Sequence, residues 1–137
     1  YSSAASDVYK RQVHNGMYSN KAGVYILNNV PVTNLERTLI DITVRPNYSG
    51  GVHSVFEIYK KAIEKISINK LTALLDKLNF IYPYHQSIGF YLERAGFDSN
   101  RLEILHKKEM PFNFYLTYEI KEKAFDPKWK IYYPKEM

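Results

Sequence analysis

The middle of the chain carries apolar residues at helical spacing in four successive segments, and this pattern limits the possible folds more than any other feature. The first segment has Leu35, Leu39 and Ile42 on one face. It comes after Thr33-Asn34-Leu35-Glu36, which fits a capping box with Thr33 as N-cap and Glu36 reaching back. Pro46 ends this helix, because the residue before a proline avoids the α region.

Three further helices are predicted after a loop that contains two glycines. The second covers about residues 52–65. Ser67 is the predicted N-cap of the third helix, and Asn79 ends it in a left-handed conformation. Pro83 lies at or near the first turn of the fourth helix. A short fifth helix is expected around residues 100–106.

Both ends of the chain are rich in β-forming residues. Residues 23–27 (GVYIL) form a short predicted strand, and residues 112–118 alternate between apolar and polar side chains. Residues 129–133 (WKIYY) form another predicted strand, and residues 121–128 are a polar turn of hairpin size. The sequence therefore predicts an α+β fold, with a central run of four to five helices packed on a small, mostly antiparallel sheet of N-terminal and C-terminal strands.

The first twelve residues, YSSAASDVYKRQ, differ in character from the rest. They resemble translated adaptor sequence and carry no periodicity that matches the later segments. We expect residues 1–12 to be a disordered artefact and residues 13–137 to be one domain. A genuine flexible N-terminal tail is the alternative.

Composition excludes several classes of protein. The chain has no Cys, which rules out disulfides, thiolate metal sites and a cysteine nucleophile. No stretch of apolar residues is long enough to span a membrane, and no signal peptide is recognisable, so the expected location is the cytoplasm with no membrane partner. The net charge of +5 permits contact with nucleic acid without requiring it.

Known catalytic motifs are absent from the sequence. It contains neither glycine-rich phosphate-loop pattern, no nucleophile elbow and no zinc-binding histidine spacing. We therefore predict a protein that is not an enzyme, with no catalytic residue, no cofactor and no metal site. The alternative is a metal-dependent nucleic-acid-processing enzyme that uses Asp41, His85 and Glu93.

Charged residues on the first helix are the first candidate site. Arg37 and Asp41 stand four positions apart, where an ion pair supports a helix. Glu36 has the simpler role in the capping box. The functional alternative is that Arg37, Asp41 and Arg45 form a polar face for a partner.

The second candidate site lies on and just before the fourth helix. Its members are polar or aromatic residues close together in the chain: Tyr82, Tyr84, His85, Gln86, Tyr91, Glu93 and Arg94. Gly89 lies among them, and a glycine inside a helix costs about 1 kcal/mol relative to alanine. We expect Gly89 to allow a close approach within the domain.

Three segments carry a resemblance to a known family. They are VTNLERTLIDITVRPNYSGGV (residues 32–52), YPYHQSIGFYLERAGF (82–97) and FNFYLTYEIKEKAFDPKWKIYYP (112–134). In combination and order they resemble the C-terminal domain of AbiEi-type antitoxins, which are transcriptional regulators of abortive-infection, type IV toxin–antitoxin systems. The resemblance covers most of the chain, from about residue 23 to residue 134.

The resemblance implies a role in antiviral defence. Family members carry an N-terminal winged helix-turn-helix that binds operator DNA, and a C-terminal domain that is required to counter a nucleotidyltransferase-like toxin, AbiEii. This sequence lacks the winged-helix domain, so DNA contact is expected mainly through that missing N-terminal domain. The cognate toxin is the expected functional partner. An accessory domain that binds DNA without sequence preference is a further alternative, and its mark would be a steep dependence on salt.

Overall fold

The computed structural model describes residues 21–137, which form five α-helices and five β-strands. The helices are α1 (Leu35–Val44), α2 (Val52–Ala62), α3 (Ile68–Leu78), α4 (Tyr84–Arg94) and α5 (Glu103–His106). The strands are β1 (Val24–Leu27), β2 (Val30–Thr33), β3 (Phe114–Tyr115), β4 (Lys123–Asp126) and β5 (Ile131–Pro134). The predicted α+β class is confirmed. The predictions of an artefact over residues 1–12 and of a domain that starts at residue 13 lie outside the described residues.

Helix α1 occupies the centre of the domain. Its residues from Leu35 to Thr43 are all buried, and α2, α3 and α4 all pack against it. Leu39, Ile40 and Ile42 are fully shielded from solvent. Because α1 is covered on every side, its polar side chains need partners inside the protein. Among residues 21–137, none of the helices combines the length and the apolar character needed to cross a membrane.

The start of α1 differs from the predicted capping box. Asn34 is the N-cap, and its side chain accepts a hydrogen bond from the Arg37 backbone N–H at 2.8 Å. Thr33 ends strand β2 instead, with its hydroxyl 2.6 Å from that of Thr38. Glu36 accepts from the Ser67 backbone N–H at 2.9 Å rather than reaching back. The prediction of a Thr33–Glu36 capping box is wrong because pairing in β2 extends to Thr33 and moves the cap by one residue.

The other helix ends agree more closely with the sequence. Ser67 caps α3 by accepting from the Lys70 backbone N–H at 3.2 Å, and Asn79 ends α3 with a positive φ of 49°. Helix α4 begins directly after Pro83. These predictions are confirmed. Helix α2 ends at Ala62, earlier than the predicted residue 65.

The strands form two separate sheets instead of one. Strands β1 and β2 make an antiparallel hairpin. Its turn residues Asn28 and Asn29 have φ values of 52° and 65°, as expected of a two-residue hairpin turn. The C-terminal strands form a second sheet in the order β3-β5-β4. The prediction of one sheet shared by both ends is therefore wrong.

Pairing in the C-terminal sheet also differs from the sequence-based prediction. The segment predicted as a polar turn contains β4, which pairs antiparallel with β5. Only Phe114 and Tyr115 of the predicted strand over residues 112–118 pair with β5, and they run parallel to it. The turn between β4 and β5 is closed by Asp126, whose side chain accepts from the Lys128 backbone N–H at 2.8 Å. Alternation in a sequence shows which side chains share a face, but it selects neither the partner strand nor its direction.

Helix α4 packs directly on the C-terminal sheet segment through Gly89. A Cβ atom at Gly89 would lie 2.2 Å from Cζ3 of Trp129, closer than any side chain tolerates. Trp129 is fully buried there. The predicted close approach at Gly89 is confirmed, and its neighbour is the indole ring of Trp129.

Candidate functional site

Three of the four charged residues predicted as a site on the first helix lie inside the protein. The Nε of Arg37 donates to Asp41 Oδ1 at 2.9 Å, and both side chains are 4% exposed. Arg37 also donates to the Ala22 carbonyl and so ties α1 to the segment before β1. Glu36 is buried and joins α1 to the start of α3 through Ser67. Arg37 and Asp41 thus form the predicted structural ion pair, and Glu36 has a structural role other than the predicted capping box, whereas Arg45 at the end of α1 is exposed.

Gln86 joins α4 to the C-terminal segment. Its side chain is fully buried, and its Nε2 lies 2.9 Å from the Trp129 carbonyl and 3.2 Å from the carbonyls of Phe112 and Lys130. One amide group therefore contacts both the turn before β5 and the segment before β3. Gln86 positions this sheet and is not accessible to a ligand.

Glu93 and Arg94 hold the end of α4 against the same segment. The carboxylate of Glu93 accepts from Lys128 Nζ and, at 3.3 Å, from Trp129 Nε1. The guanidinium of Arg94 lies 4.9 Å from the ring centre of Tyr133. Both residues therefore support the packing of α4 on the sheet.

Replacing Glu93 with glutamine is expected to reduce the acid sensitivity of the fold. Burial alone raises the pKa of Glu93, but the hydrogen bonds from Lys128 and Trp129 outweigh burial and lower it overall. A carboxyl whose pKa is lower in the folded state than in the unfolded chain stabilises the fold at pH values above its unfolded-state pKa of about 4.3. That contribution is lost as the pH falls through the folded-state pKa.

Thermal melting between neutral pH and about pH 3 tests this expectation. On acidification, the melting temperature of the native chain should fall further than that of Glu93→Gln. Glu57→Gln is the matched control, because the Glu57 carboxylate is 61% exposed. An acid-induced loss in Glu93→Gln as large as in the native chain would contradict the expectation.

A cleft of about 670 Å³ opens on the surface of the described residues. It lies between the end of α1 with the turn after it, the start of α4, and β3 with the loop after that strand. We call it the aromatic cleft because six rings line it. They are Tyr48, Tyr82, Tyr84, Phe114, Tyr115 and Tyr118.

Phe114 organises the rings on one side of the aromatic cleft. Its ring stacks on that of Tyr82, with centres 6.1 Å apart and planes at 16°. Tyr84 meets Phe114 edge to face at 5.5 Å. Such offset-stacked and edge-to-face contacts are the preferred geometries for aromatic pairs. The wall is therefore preformed, with Tyr82 and Tyr84 held in place by Phe114.

Charged groups of the aromatic cleft are mostly positive. Arg45 and Lys123 line it together with the single carboxylate of Glu119. The Arg45 guanidinium lies 5.7 Å from the ring centre of Tyr48, and Lys123 Nζ lies 5.7 Å from that of Tyr115. Both distances are typical of cation–π contacts. Each cation is thus placed beside a ring of the cleft.

The hydroxyl of Tyr84 remains a hydrogen-bond donor at neutral pH. Burial raises the pKa of Tyr84, the nearby Tyr118 and Tyr82 raise it further, and Arg45 offsets part of the increase. A protonated phenol can both donate and accept a hydrogen bond. The aromatic cleft therefore offers polar groups as well as ring faces.

The aromatic surface continues from the cleft across the C-terminal sheet. Tyr115 on β3 stacks on Tyr132 of β5 with ring centres 4.7 Å apart. Tyr132 in turn contacts Phe125 of β4 at 4.8 Å. Strand register places these three residues opposite one another, so their rings form one row across one face of the sheet.

His85 lines a smaller pocket of about 180 Å³ beside the cleft. Burial lowers the pKa of His85, and the nearby Lys108 lowers it further, against the opposing effect of a hydrogen bond with the Glu109 backbone. Lys108 itself pairs with Asp76 at 2.6 Å. The imidazole is therefore neutral at pH 7.

The three residues of the metal-dependent alternative do not come together. Asp41 pairs with Arg37 in α1, Glu93 is bonded to Lys128, and His85 lines the small pocket. Across residues 21–137, no three histidine or acidic side chains are grouped closely enough to hold a metal ion.

Sequence reasoning found part of the aromatic cleft. Arg45, Tyr82 and Tyr84 were candidates and line it. The other five aromatic and basic lining residues were not recognised as site residues: Tyr48, Phe114, Tyr115, Tyr118 and Lys123. The 13 tyrosines of the chain were the available signal. They did not locate the cleft, because tyrosine suits cores and interfaces equally well.

Comparison with known proteins finds a solved structure with a similar fold. No protein-family model and no curated protein sequence matches the chain. The fold is similar to the crystal structure of the RV2827C protein from Mycobacterium tuberculosis, with a TM-score of 0.62 and 18% sequence identity. The match covers 77% of this chain and 36% of that protein, so the chain spans little more than a third of its length. At this identity the likeness establishes a shared fold.

Proposed function

We propose that this chain is the antitoxin domain of a type IV toxin–antitoxin system in phage defence. It acts in the cytoplasm by binding and not by catalysis. It counters a nucleotidyltransferase-like toxin and assists repression at operator DNA. The proposal rests on the resemblance of three segments to AbiEi-type antitoxins. The structural observation that supports it most is that those three segments form a single packed scaffold.

The scaffold joins all three segments. Helix α1 from the first segment contacts α4 from the second, and α4 contacts β3 and β5 from the third. Polar residues of the second segment bond to the third, since Gln86 donates to the Trp129 carbonyl and Glu93 accepts from Trp129 Nε1. A resemblance over segments that pack on one another supports a shared fold, since buried and bonded residues cannot be replaced singly without cost.

Exposed apolar side chains support a role in binding. The β1–β2 hairpin exposes Tyr25, Ile26, Leu27 and Val30, each by at least 46%. The aromatic cleft is a second open surface rich in ring faces. Contiguous exposed apolar side chains are typical of interaction sites.

Co-expression with the neighbouring toxin gene tests the proposal. The full gene, including any winged-helix region, is expressed together with the adjacent nucleotidyltransferase-like gene, which is placed under an independent promoter. With that promoter, repression of the operon cannot account for any rescue of growth. We expect the full gene to restore growth. The absence of such an adjacent gene, or toxicity that persists with the soluble antitoxin present, would refute the proposal.

A fold-disrupting variant is the matched control. Arg37→Met at the same expression level should lose the rescue, since its partner Asp41 is buried. Arg101→Met alters an exposed arginine and should keep it. Rescue that is indifferent to both variants would show that the folded domain is not the active part.

A further inference from the structure

We propose that the aromatic cleft binds single-stranded nucleic acid, with bases stacked on the open rings of Tyr82, Tyr115 and Tyr118 and phosphates held by Arg45 and Lys123. The inference concerns the cleft and does not depend on the antitoxin role. It also differs from operator binding, because bases within a duplex stack on each other and cannot stack on these rings.

Ring exposure is the first argument. Tyr82 is 57% exposed, Tyr115 48% and Tyr118 89%. A tyrosine needed only for the core would bury its ring, and burial of so large an apolar face would stabilise the fold. Rings on an open, preformed surface match the stacking platforms of proteins that bind single strands.

The extended row of rings is the second argument. Tyr115 belongs both to the cleft and to the row that continues through Tyr132 to Phe125. A row across a β-sheet face can accept successive bases of one strand. A single small ligand would need only the cleft, so the continuity favours a chain-like ligand.

Charge decides between two kinds of chain-like ligand. Aromatic grooves also bind proline-rich peptides. Here two cations, Arg45 and Lys123, line the cleft against the one carboxylate of Glu119, and the whole chain has a net charge of +5. Each cation lies beside a ring, where a phosphate could be neutralised while its base stacks. This arrangement favours an anionic ligand.

Fluorescence anisotropy with labelled oligonucleotides provides the test. The full chain is titrated into a single-stranded RNA, a single-stranded DNA of the same sequence, the corresponding duplex, and a proline-rich peptide. We expect binding of single strands at low salt and weaker binding of the duplex. The RNA and DNA arms decide which nucleic acid is the better ligand. Two phosphate contacts predict a log–log salt slope of about −1.4 for a single strand.

Variants locate the binding in the cleft. Tyr118→Ala should weaken single-strand affinity about tenfold, as expected for the loss of one stacking ring. Lys123→Gln should lower the magnitude of the salt slope by about 0.7. Tyr25→Ala and Lys61→Gln change an exposed ring and an exposed lysine that do not line the cleft, so they should bind as the native chain does.

Folding of the variants is checked by circular dichroism, and a second measurement avoids substitutions altogether. Photocrosslinking of an iodouracil-labelled strand to the native chain should map to the parts of the chain that line the cleft, within residues 43–48, 82–84 and 114–123. The proposal is overturned if no single strand binds at low salt. It is equally overturned if the cleft variants bind as well as the controls, if crosslinks map elsewhere, or if only the peptide binds.

Discussion

Replacing Arg37 with methionine is expected to lower the free energy of unfolding by about 3–5 kcal/mol. The Arg37–Asp41 pair is buried, with both side chains 4% exposed. Loss of the guanidinium removes the Arg37 charge from the buried Asp41 carboxylate, and water cannot replace that ion pair in the interior. Because a domain is stabilised by only about 5–15 kcal/mol in total, this change removes a large share of its stability.

Urea denaturation of matched variants measures this effect. Arg101→Met removes an exposed arginine and should change the free energy of unfolding by no more than about 0.5 kcal/mol. The double variant Arg37→Met with Asp41→Leu should recover much of the loss, since a buried ion pair replaced by apolar side chains is often neutral. A loss below about 1 kcal/mol in Arg37→Met would show that the pair is dispensable.

Substitution of alanine for Gly89 is the second large effect. Helix propensity alone predicts a gain of about 1 kcal/mol. The structure predicts the opposite sign, because the new Cβ would lie 2.2–2.5 Å from three carbon atoms of the Trp129 ring. Trp129 cannot move cheaply, since its Nε1 is bonded to Glu93 and its carbonyl to Gln86. We expect a loss of about 3 kcal/mol.

Thermal melting shows directly whether Gly89→Ala stabilises or destabilises the fold. Gly89→Ala should melt roughly 10 °C lower than the native chain. Asn69→Ala is the control for propensity, because Asn69 is exposed on α3. Combining Gly89→Ala with Trp129→Phe should cost less than the sum of the single changes, because a smaller ring leaves room for the Cβ. A melting temperature that rises in Gly89→Ala would contradict the close approach.

Local signals in the sequence predicted much of the helical framework. The N-cap at Ser67, the left-handed Asn79, the start of α4 after Pro83 and the Arg37–Asp41 pair are all present. Each depends on residues within four positions of one another, so the sequence contains the complete interaction. The close contact at Gly89 was also predicted, because a glycine destabilises a helix and its presence there indicates a tight contact.

The failures involve partners that are distant in the chain. Glu36 fitted a capping box locally, but its carboxylate bonds to Ser67, which lies 31 positions away. Gln86 was expected in a functional cluster, yet it holds carbonyls of Phe112, Trp129 and Lys130. A local motif shows what a side chain can do, and burial against a remote segment decides which of these bonds is made.

The sequence by itself determined the α+β class, both ends of α3, the start of α4 after Pro83, and the need for a close contact at Gly89. The tertiary structure alone decided that the strands divide into two sheets, that β3 runs parallel to β5, and that rings from the turn after α1, the start of α4 and the segment around β3 meet in one cleft. The physical reason is the range of the forces involved. Caps and helix periodicity act within a turn or two, whereas strand pairing and the assembly of a cleft depend on which distant surfaces are buried together.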